Sequence, residues 1–263
     1  MPKIVTDNLP DLAGAFDTTD DALLGGRVRL LQPARGYRAA VDAVLLAAAV
    51  PAMAGQNVMD VGSGTGAATF CLLARLSSVG VTDIKAVGLE LQDRFVDLAR
   101  RNAERNGFTG LVEVHQADVA TPPAGLGTFD HVMSNPPYLP AARADPSPDR
   151  SKALATVEST ADLATWIGFC LRSLRPGGTL SLVHRADREA EIVDLLRPQA
   201  ADIAVLPLLP HAGAAPRRLI LRARQGIGGH VRHLPGLVLH ERGGGYTPEA
   251  EAILRDATPL DLD

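Results

Sequence analysis

Apolar positions change their spacing several times along the chain, and each change marks an element. Leu23-Leu24-Gly25-Gly26-Arg27-Val28-Arg29-Leu30-Leu31 alternates around a Gly-Gly turn, which predicts a small hairpin. The apolar run Ala43–Ala49 predicts a buried helix capped by Asp42 and stopped by Pro51. From Asn57 onward, short apolar runs alternate with stretches of helical spacing. Val58–Val61, Ala86–Leu89, Val112–Val114, His131–Met133 and Thr179–Val183 predict five strands. Thr69–Leu76 predicts a helix after the first. Phe95, Leu98, Ala99, Asn102 and Ala103 share one face of a second helix that Gly107 ends. Leu163, Trp166, Ile167, Cys170, Leu171 and Leu174 predict a third, from about Asp162 to Leu174, with Trp166 and Cys170 in the core and Pro176-Gly177-Gly178 as its stop. A helix around Arg188–Leu196 and strands near Ile203–Leu208 and Leu219–Arg222 complete the alternation. Beyond Gly243-Gly244-Gly245, Thr247 as N-cap and Pro248 at the first helical position predict a short final helix.

Strand–helix alternation of this kind predicts an α/β fold, a mostly parallel seven-stranded sheet with helices on both faces, preceded by a small N-terminal hairpin extension. The expected organisation is an extension over 1–50, a core domain over 51–225 and a C-terminal extension of that domain over 226–263. Ligands of such sheets bind outside the carboxyl ends of the strands, which directs attention to the residues after Asp60, Glu90, Gln116 and Met133.

Composition narrows the classes. Hydrophobic residues make up 46% of the chain and charged residues 21%, an ordinary globular balance. The longest apolar stretch, Ala43 to Ala54, is broken by Pro51 and falls short of the roughly 20 residues that span a bilayer. No basic start followed by an apolar core opens the chain, so the expectation is a cytoplasmic protein without a membrane partner. The two cysteines, Cys71 and Cys170, form neither a disulfide framework nor a metal cluster, and no metal is expected. Net charge is −4, yet arginines cluster. Arg27, Arg29, Arg35 and Arg38 have no acid between them, and Arg217, Arg218, Arg222, Arg224, Arg232 and Arg242 share their region with Glu241 alone. Such clusters suit either a phosphate-facing surface or solvated strand faces.

The first strand end reads Asp60-Val61-Gly62-Ser63-Gly64-Thr65-Gly66. Glycines there let the backbone turn sharply and approach a ligand closely. Gly62-x-Gly64-x-x-Ala67 also fits a dinucleotide fingerprint, with Glu90 placed to grip a ribose diol in either kind of ligand. Asp60 ahead of the glycines repels a pyrophosphate and suits an ammonium group. Asp118 after the third strand suits an adenine amino group or a simple loop cap. The fourth strand ends in Asn135-Pro136-Pro137-Tyr138. Two prolines remove two N–H donors, so the carbonyls of Asn135 and Pro136 and the Asn135 amide oxygen meet little backbone competition. This arrangement suits a planar NH₂ group held by both hydrogens, with Tyr138 offering a flat face.

These motifs, in this order, resemble the class I S-adenosylmethionine-dependent methyltransferases, and the tetrapeptide resembles the branch that methylates amino groups conjugated to a π system. Gln32-Pro33-x-x-Gly36-Tyr37-Arg38, Asp42–Ala47, Leu237–Glu241 and Tyr246-Thr247 are similar to the ends of bacterial tRNA (adenine-N6)-methyltransferases acting on adenosine 37 of valine tRNA. The resemblance implies a Rossmann-like fold, S-adenosylmethionine as cofactor and RNA, with tRNA preferred, as partner. It implies Asp60, Gly62, Gly64, Gly66, Glu90, Asp118 and Asn135 as cofactor-binding residues. Asn135, Pro136 and Tyr138 are the implied catalytic residues. Tyr138, Arg27, Arg29, Arg38, Arg217 and Arg218 are the candidates for substrate contact. Protein-glutamine methylation on release factors is the main alternative, although that family usually carries a large N-terminal helical domain and only about 50 residues precede the first strand. Guanine-N2 or small-molecule amine methylation is a further one. The polar segment Ala141–Ser151, directly after Tyr138, reads as a lid or a surface connection.

Overall fold

The computed structural model describes residues 17–36, 38–140, 157–158 and 161–263, and the segment 141–151, read as a lid or a surface connection, lies outside them. Strands β1 (Thr18–Leu23) and β2 (Val28–Pro33) form the expected antiparallel hairpin around Leu24–Gly26. Helix α1 (Val41–Ala49) follows, but Asp42 is not its cap. The N-cap is Ala40, and Asp42 sits in the first turn with its carboxylate turned to other partners.

The alternating core comprises β3 (Asn57–Val61), α2 (Ala67–Ser78), β4 (Lys85–Glu90), α3 (Asp93–Arg105), β5 (Val112–Gln116) and β6 (Phe129–Ser134). A two-residue pair, β7 (Leu139–Pro140) with β8 (Val157–Glu158), stands apart from the main sheet. Then come α4 (Leu163–Arg172), β9 (Leu174–Arg185), α5 (Glu189–Leu196), β10 (Ala200–His211) and β11 (Arg218–Gln225). β12 (His230–His233), β13 (Leu237–His240) and α6 (Pro248–Leu254) close the chain.

The order across the sheet is β5-β4-β3-β6-β9-β11-β10-β12, with β13 also on β10. β5, β4, β3, β6 and β9 are parallel, and β11 runs antiparallel between β9 and β10. The seven expected strands are therefore present, and two more extend the sheet. β12 pairs with Asp202–Val205 and β13 with Leu208–His211, so the tail covers the edge of β10 that would otherwise present unpaired backbone groups.

Helices pack where apolar stripes direct them. α1 and α2 bury Leu45, Leu46, Phe70 and Leu72 on one face, together with the hairpin and α6. α4 and α5 bury Ile167, Cys170, Ile192 and Leu196 on the other. Both cysteines are buried and unbridged, and burial pushes the Cys71 thiol up to about 12. Asp162 caps α4 by accepting from the Thr165 amide, and Thr247 caps α6 by accepting from Ala250. Pro176-Gly177-Gly178 does not separate helix from strand. It lies inside β9 as a bulge, since Phe129 faces Leu174 whereas His131 faces Thr179. A Cβ on Gly178 would stand 2.7 Å from the Asp130 carbonyl oxygen, so the bulge needs glycine there.

Candidate active site

The chain leaves β3 toward β4 and β5 on one side and later returns to β6 on the other, so β3 and β6 flank the point where the winding reverses. Crevices at such points are where open α/β sheets bind ligands. Register aligns the strand ends there: Val61 pairs with Leu89 and Ser134, Glu90 with Gln116, and Ser134 with Leu182. At about 4.8 Å per strand, Glu90 on β4 and Asn135 after β6 stand about two strand spacings apart.

The loop from β3 into α2 is the first wall. Gly62, Gly64 and Gly66 all have positive φ, at 74°, 55° and 85°. The amides of Gly62 and Ser63 both donate to the Leu89 carbonyl, at 2.8 and 2.9 Å, tying the loop to β4. Beneath it, a Cβ on Gly62 would fall 2.9 Å from the Trp166 ring, while one on Gly64 would meet nothing within 4 Å among the described residues. Trp166 is thus not plain core. It is half-buried under the glycine loop, and its indole N–H donates to Ser134 Oγ at 2.9 Å, which donates to the Val61 carbonyl at 2.6 Å.

Two buried carboxylates line the loop. Asp60 is 3% exposed and accepts from Thr69 Oγ1 at 2.7 Å. Burial pushes it up to about 7, the charge of Glu90 adds to that rise, and the bonds from Thr69 oppose it. Glu90 is 7% exposed and accepts from the amides of Gly64, at 2.9 Å, and Gln92, at 2.8 Å. Burial raises it too, against the pull of those amides. Each carboxylate therefore gains when a further donor reaches it. Among the described residues, Ser63 Oγ, which is buried, has no hydrogen-bond partner. Asp118, half-buried after β5, accepts from the Ala120 amide at 2.9 Å.

At the end of β6 the tetrapeptide turns on itself. The Tyr138 hydroxyl donates to Asn135 Oδ1 and lies 3.3 Å from Asp42 Oδ2. The Arg218 guanidinium sits 4.7 Å from the centre of the Tyr138 ring, and its Nε is 3.4 Å from Asp42 Oδ2. His184, fully buried, meets the same ring edge-on with centroids 5.3 Å apart. Burial lowers His184 to about 4, so it is neutral near pH 7. Pro136 is buried and Asn135 half-buried.

The structure thus brings Asp60, the three glycines, Glu90, Asn135, Pro136 and Tyr138 to one rim of the sheet, with Arg218 at its far side. It does not bring the other arginines into a free basic surface. Arg27 donates to the carbonyls of Leu24 and Arg255, Arg29 pairs with Asp20 at 3.0 Å, and Arg38 pairs with Asp21 at 2.6 Å. The acid-free reading of that stretch fails in space because β1 lays Asp20 and Asp21 against it. Arg222 is 7% exposed and pairs with Asp263, which removes it from the candidates for phosphate contact. Among the described residues no carboxylate pairs with Arg217, which is exposed beside Arg218.

Two contributors escape sequence reasoning. Asn102, fully buried on α3, donates to the carbonyls of Leu31 and Thr65, each at 3.0 Å, and accepts from the Leu31 amide at 2.8 Å. It staples the glycine loop to the hairpin, although its spacing marks it as one more core position. Asp42 reaches the tetrapeptide from a helix 96 residues away in sequence. Nothing local signals that contact.

Strand order and site together define a Rossmann-like class I methyltransferase fold. Residues 53–201 match the model of the methyltransferase domain family, and the chain belongs to that family. It is 28% identical over 183 residues to a tRNA1(Val) (adenine(37)-N6)-methyltransferase of Glaesserella parasuis, covering 68% of this chain and 73% of that protein. It is also 33% identical over 161 residues to a release factor glutamine methyltransferase of Chlorobaculum tepidum, covering 57% of this chain and about half, 52%, of that one. Among solved structures, a protein of Agrobacterium tumefaciens described as a predicted O-methyltransferase superposes with a TM-score of 0.67 at 25% identity, over 84% of this chain and 98% of its own. The Thermus thermophilus 16S rRNA N2 G1207 methyltransferase, solved with AdoMet and guanosine, shares the fold with a TM-score of 0.55 at 18% identity, over 82% of this chain and 52% of that one. The protein is an S-adenosylmethionine-dependent methyltransferase. The open face at Gly64, the orphaned Ser63 hydroxyl and two buried carboxylates ready for further donors fit that cofactor. No described helix is long and apolar enough to cross a membrane.

Proposed function

We propose that this enzyme methylates the N6 amino group of an adenine in tRNA. The observation that carries the reading is the position of Asn135-Pro136-Pro137-Tyr138: it leaves the sheet at Ser134, which pairs directly with Val61 at the foot of the glycine loop. Relatives named as tRNA adenine-N6 methyltransferases support it. When bound, S-adenosylmethionine supplies a methyl group on a positively charged sulfur.

The chain's own residues do the rest. Gly62, Gly64 and Gly66 let the loop approach the cofactor, Asp60 holds an ammonium group directly or through water, Glu90 accepts from a ribose diol, and Asp118 meets the cofactor adenine. Asn135 Oδ1 and the Pro136 carbonyl accept the two hydrogens of the target amine. That geometry turns the nitrogen lone pair out of conjugation, and the fixed acceptors stabilise the positive charge that grows on nitrogen. Tyr138 provides a face for the base, which must be splayed out of the RNA to enter. Arg217, with Arg218 beside it, faces the phosphates. Arg29 and Arg38 keep a place on that surface only through exposed ion pairs, which are weak enough to exchange for phosphate, and Arg27 only by giving up the backbone carbonyls it holds.

The relative at 33% identity favours a second reading, methylation of a glutamine amide on a release factor. One experiment separates them. Methyl transfer from labelled S-adenosylmethionine is measured to unfractionated tRNA and to purified release factor, followed by nucleoside analysis. Label recovered as N6-methyladenosine supports the proposal. Label on the protein alone, or recovered as N2-methylguanosine, overturns it.

A further inference from the structure

Among the described residues, the Tyr138 hydroxyl has one proton and two acceptors within reach: Asn135 Oδ1, to which it donates, and Asp42 Oδ2 at 3.3 Å. The first acceptor is the oxygen that the target amine needs. A hydroxyl already donating to it competes with the amine and occupies one of its approach directions. The ring itself has little freedom to retreat, because Arg218 lies over it and His184 abuts it. Rotation about the phenolic C–O bond needs no movement of the ring, and it points the same proton at Asp42.

We infer that Asp42 is a positioning residue that receives the Tyr138 hydroxyl while the target amine occupies Asn135; the inference rests on Asn135 being the amine acceptor. No proton changes owner in this exchange. The O–H bond stays intact and only its acceptor changes. A carboxylate accepts more strongly than an amide, so the second position offsets the loss of the first. Arg218, 3.4 Å from the same Asp42 oxygen, holds the carboxylate toward the ring. The competing role for Asp42 is simpler: an ion partner that joins α1 to β11.

Single-turnover methyl transfer to unfractionated tRNA, and in parallel to release factor, separates the two roles through Asp42→Ala, Tyr138→Phe and the double variant. Asp42→Ala should slow transfer by about tenfold, the size of one competing hydrogen bond, with cofactor affinity unchanged. The double variant should be faster than Asp42→Ala and should match Tyr138→Phe, because without a hydroxyl there is nothing to relocate. Should Asp42→Ala fold poorly, Asp42→Asn keeps the volume and one acceptor oxygen, and Tyr138→Phe should abolish its smaller defect in the same way. A double variant no faster than Asp42→Ala, or an Asp42→Ala enzyme as fast as the parent, overturns the inference while the proposed function stands. A parent inactive on both substrates overturns the reading of Asn135, and this inference with it.

Discussion

The Tyr138 hydroxyl donates to the side-chain oxygen of Asn135, so the first and last residues of one tetrapeptide close onto each other at the end of β6. Each therefore has a structural duty besides any chemical one. The aromatic ring and the hydroxyl of Tyr138 must be tested apart. Tyr138→Phe keeps the ring against Arg218 and His184 and should lose far less activity than Tyr138→Ala. The alanine variant also gives up the proposed base stacking, worth about 1–3 kcal/mol. Transfer rates for the two variants side by side check this; equal losses would place the function in the hydroxyl.

The glycine loop predicts two different failures. Gly62→Ala puts a Cβ 2.9 Å from the Trp166 ring at a φ of +74°, so it should lower the melting temperature. Gly64→Ala, at +55°, meets open space on the protein side. Its backbone strain is about 1 kcal/mol, and its methyl projects where the cofactor is proposed to lie. Cofactor affinity should therefore fall more than stability for Gly64→Ala, and the reverse should hold for Gly62→Ala. Thermal scans with calorimetric titration of S-adenosylmethionine distinguish them.

Asp60 gives the enzyme a pH signature. Its folded pKa, about 7, stands above its ordinary 3.8, so the native state holds the proton more tightly than the unfolded chain. The contribution of Asp60 to stability therefore falls as pH rises from about 4 to about 7, and is constant outside that window. Cofactor binding should move the other way, because a bound ammonium group favours the ionised carboxylate. Affinity should rise from pH 6 to pH 8 in the parent and lose that rise in Asp60→Asn. A flat profile in the parent would separate Asp60 from the cofactor's charged end.

The arginines divide by their partners. Arg217→Glu should weaken tRNA binding and reduce its dependence on salt, because one proposed phosphate contact is lost. Arg222→Leu should leave tRNA binding where it was, since Arg222 is spent on Asp263. Binding isotherms at two or more salt concentrations check both; an unchanged salt slope for Arg217→Glu would argue for a substrate other than RNA.

Much of this fold was legible because local signals and tertiary demand agree. The Val58–Val61 strand, the glycines after it and the Thr247-Pro248 start of α6 appear where their residue types require. Other features were illegible because their causes are not local. His230-Val-Arg-His233 is too polar to read as a strand and becomes one only because the edge of β10 needs a partner. Pro176-Gly177-Gly178 reads as a stop, yet pairing with β6 carries the strand through it as a bulge. Trp166 and Asn102 read as core by spacing, whereas their polar atoms support the loop above. Arg27, Arg29 and Arg38 read as a basic cluster because their acids lie on a different strand or their partners are backbone carbonyls. Motifs thus pointed to the candidate site, whose supports appear only in three dimensions.

We propose that Asn135 acts on the target amine during methyl transfer rather than merely shaping a turn. Interactions that strengthen in the transition state appear in turnover and not in ground-state affinity. The deciding measurement is single-turnover methyl transfer to tRNA by Asn135→Ala, with tRNA and cofactor affinities measured on the same preparation. A role for Asn135 in transfer requires a rate lower by about 10²–10³, the usual cost of one preorganised polar contact, with both affinities within a few-fold of the parent. Near-parent rates from a folded Asn135→Ala enzyme would contradict it.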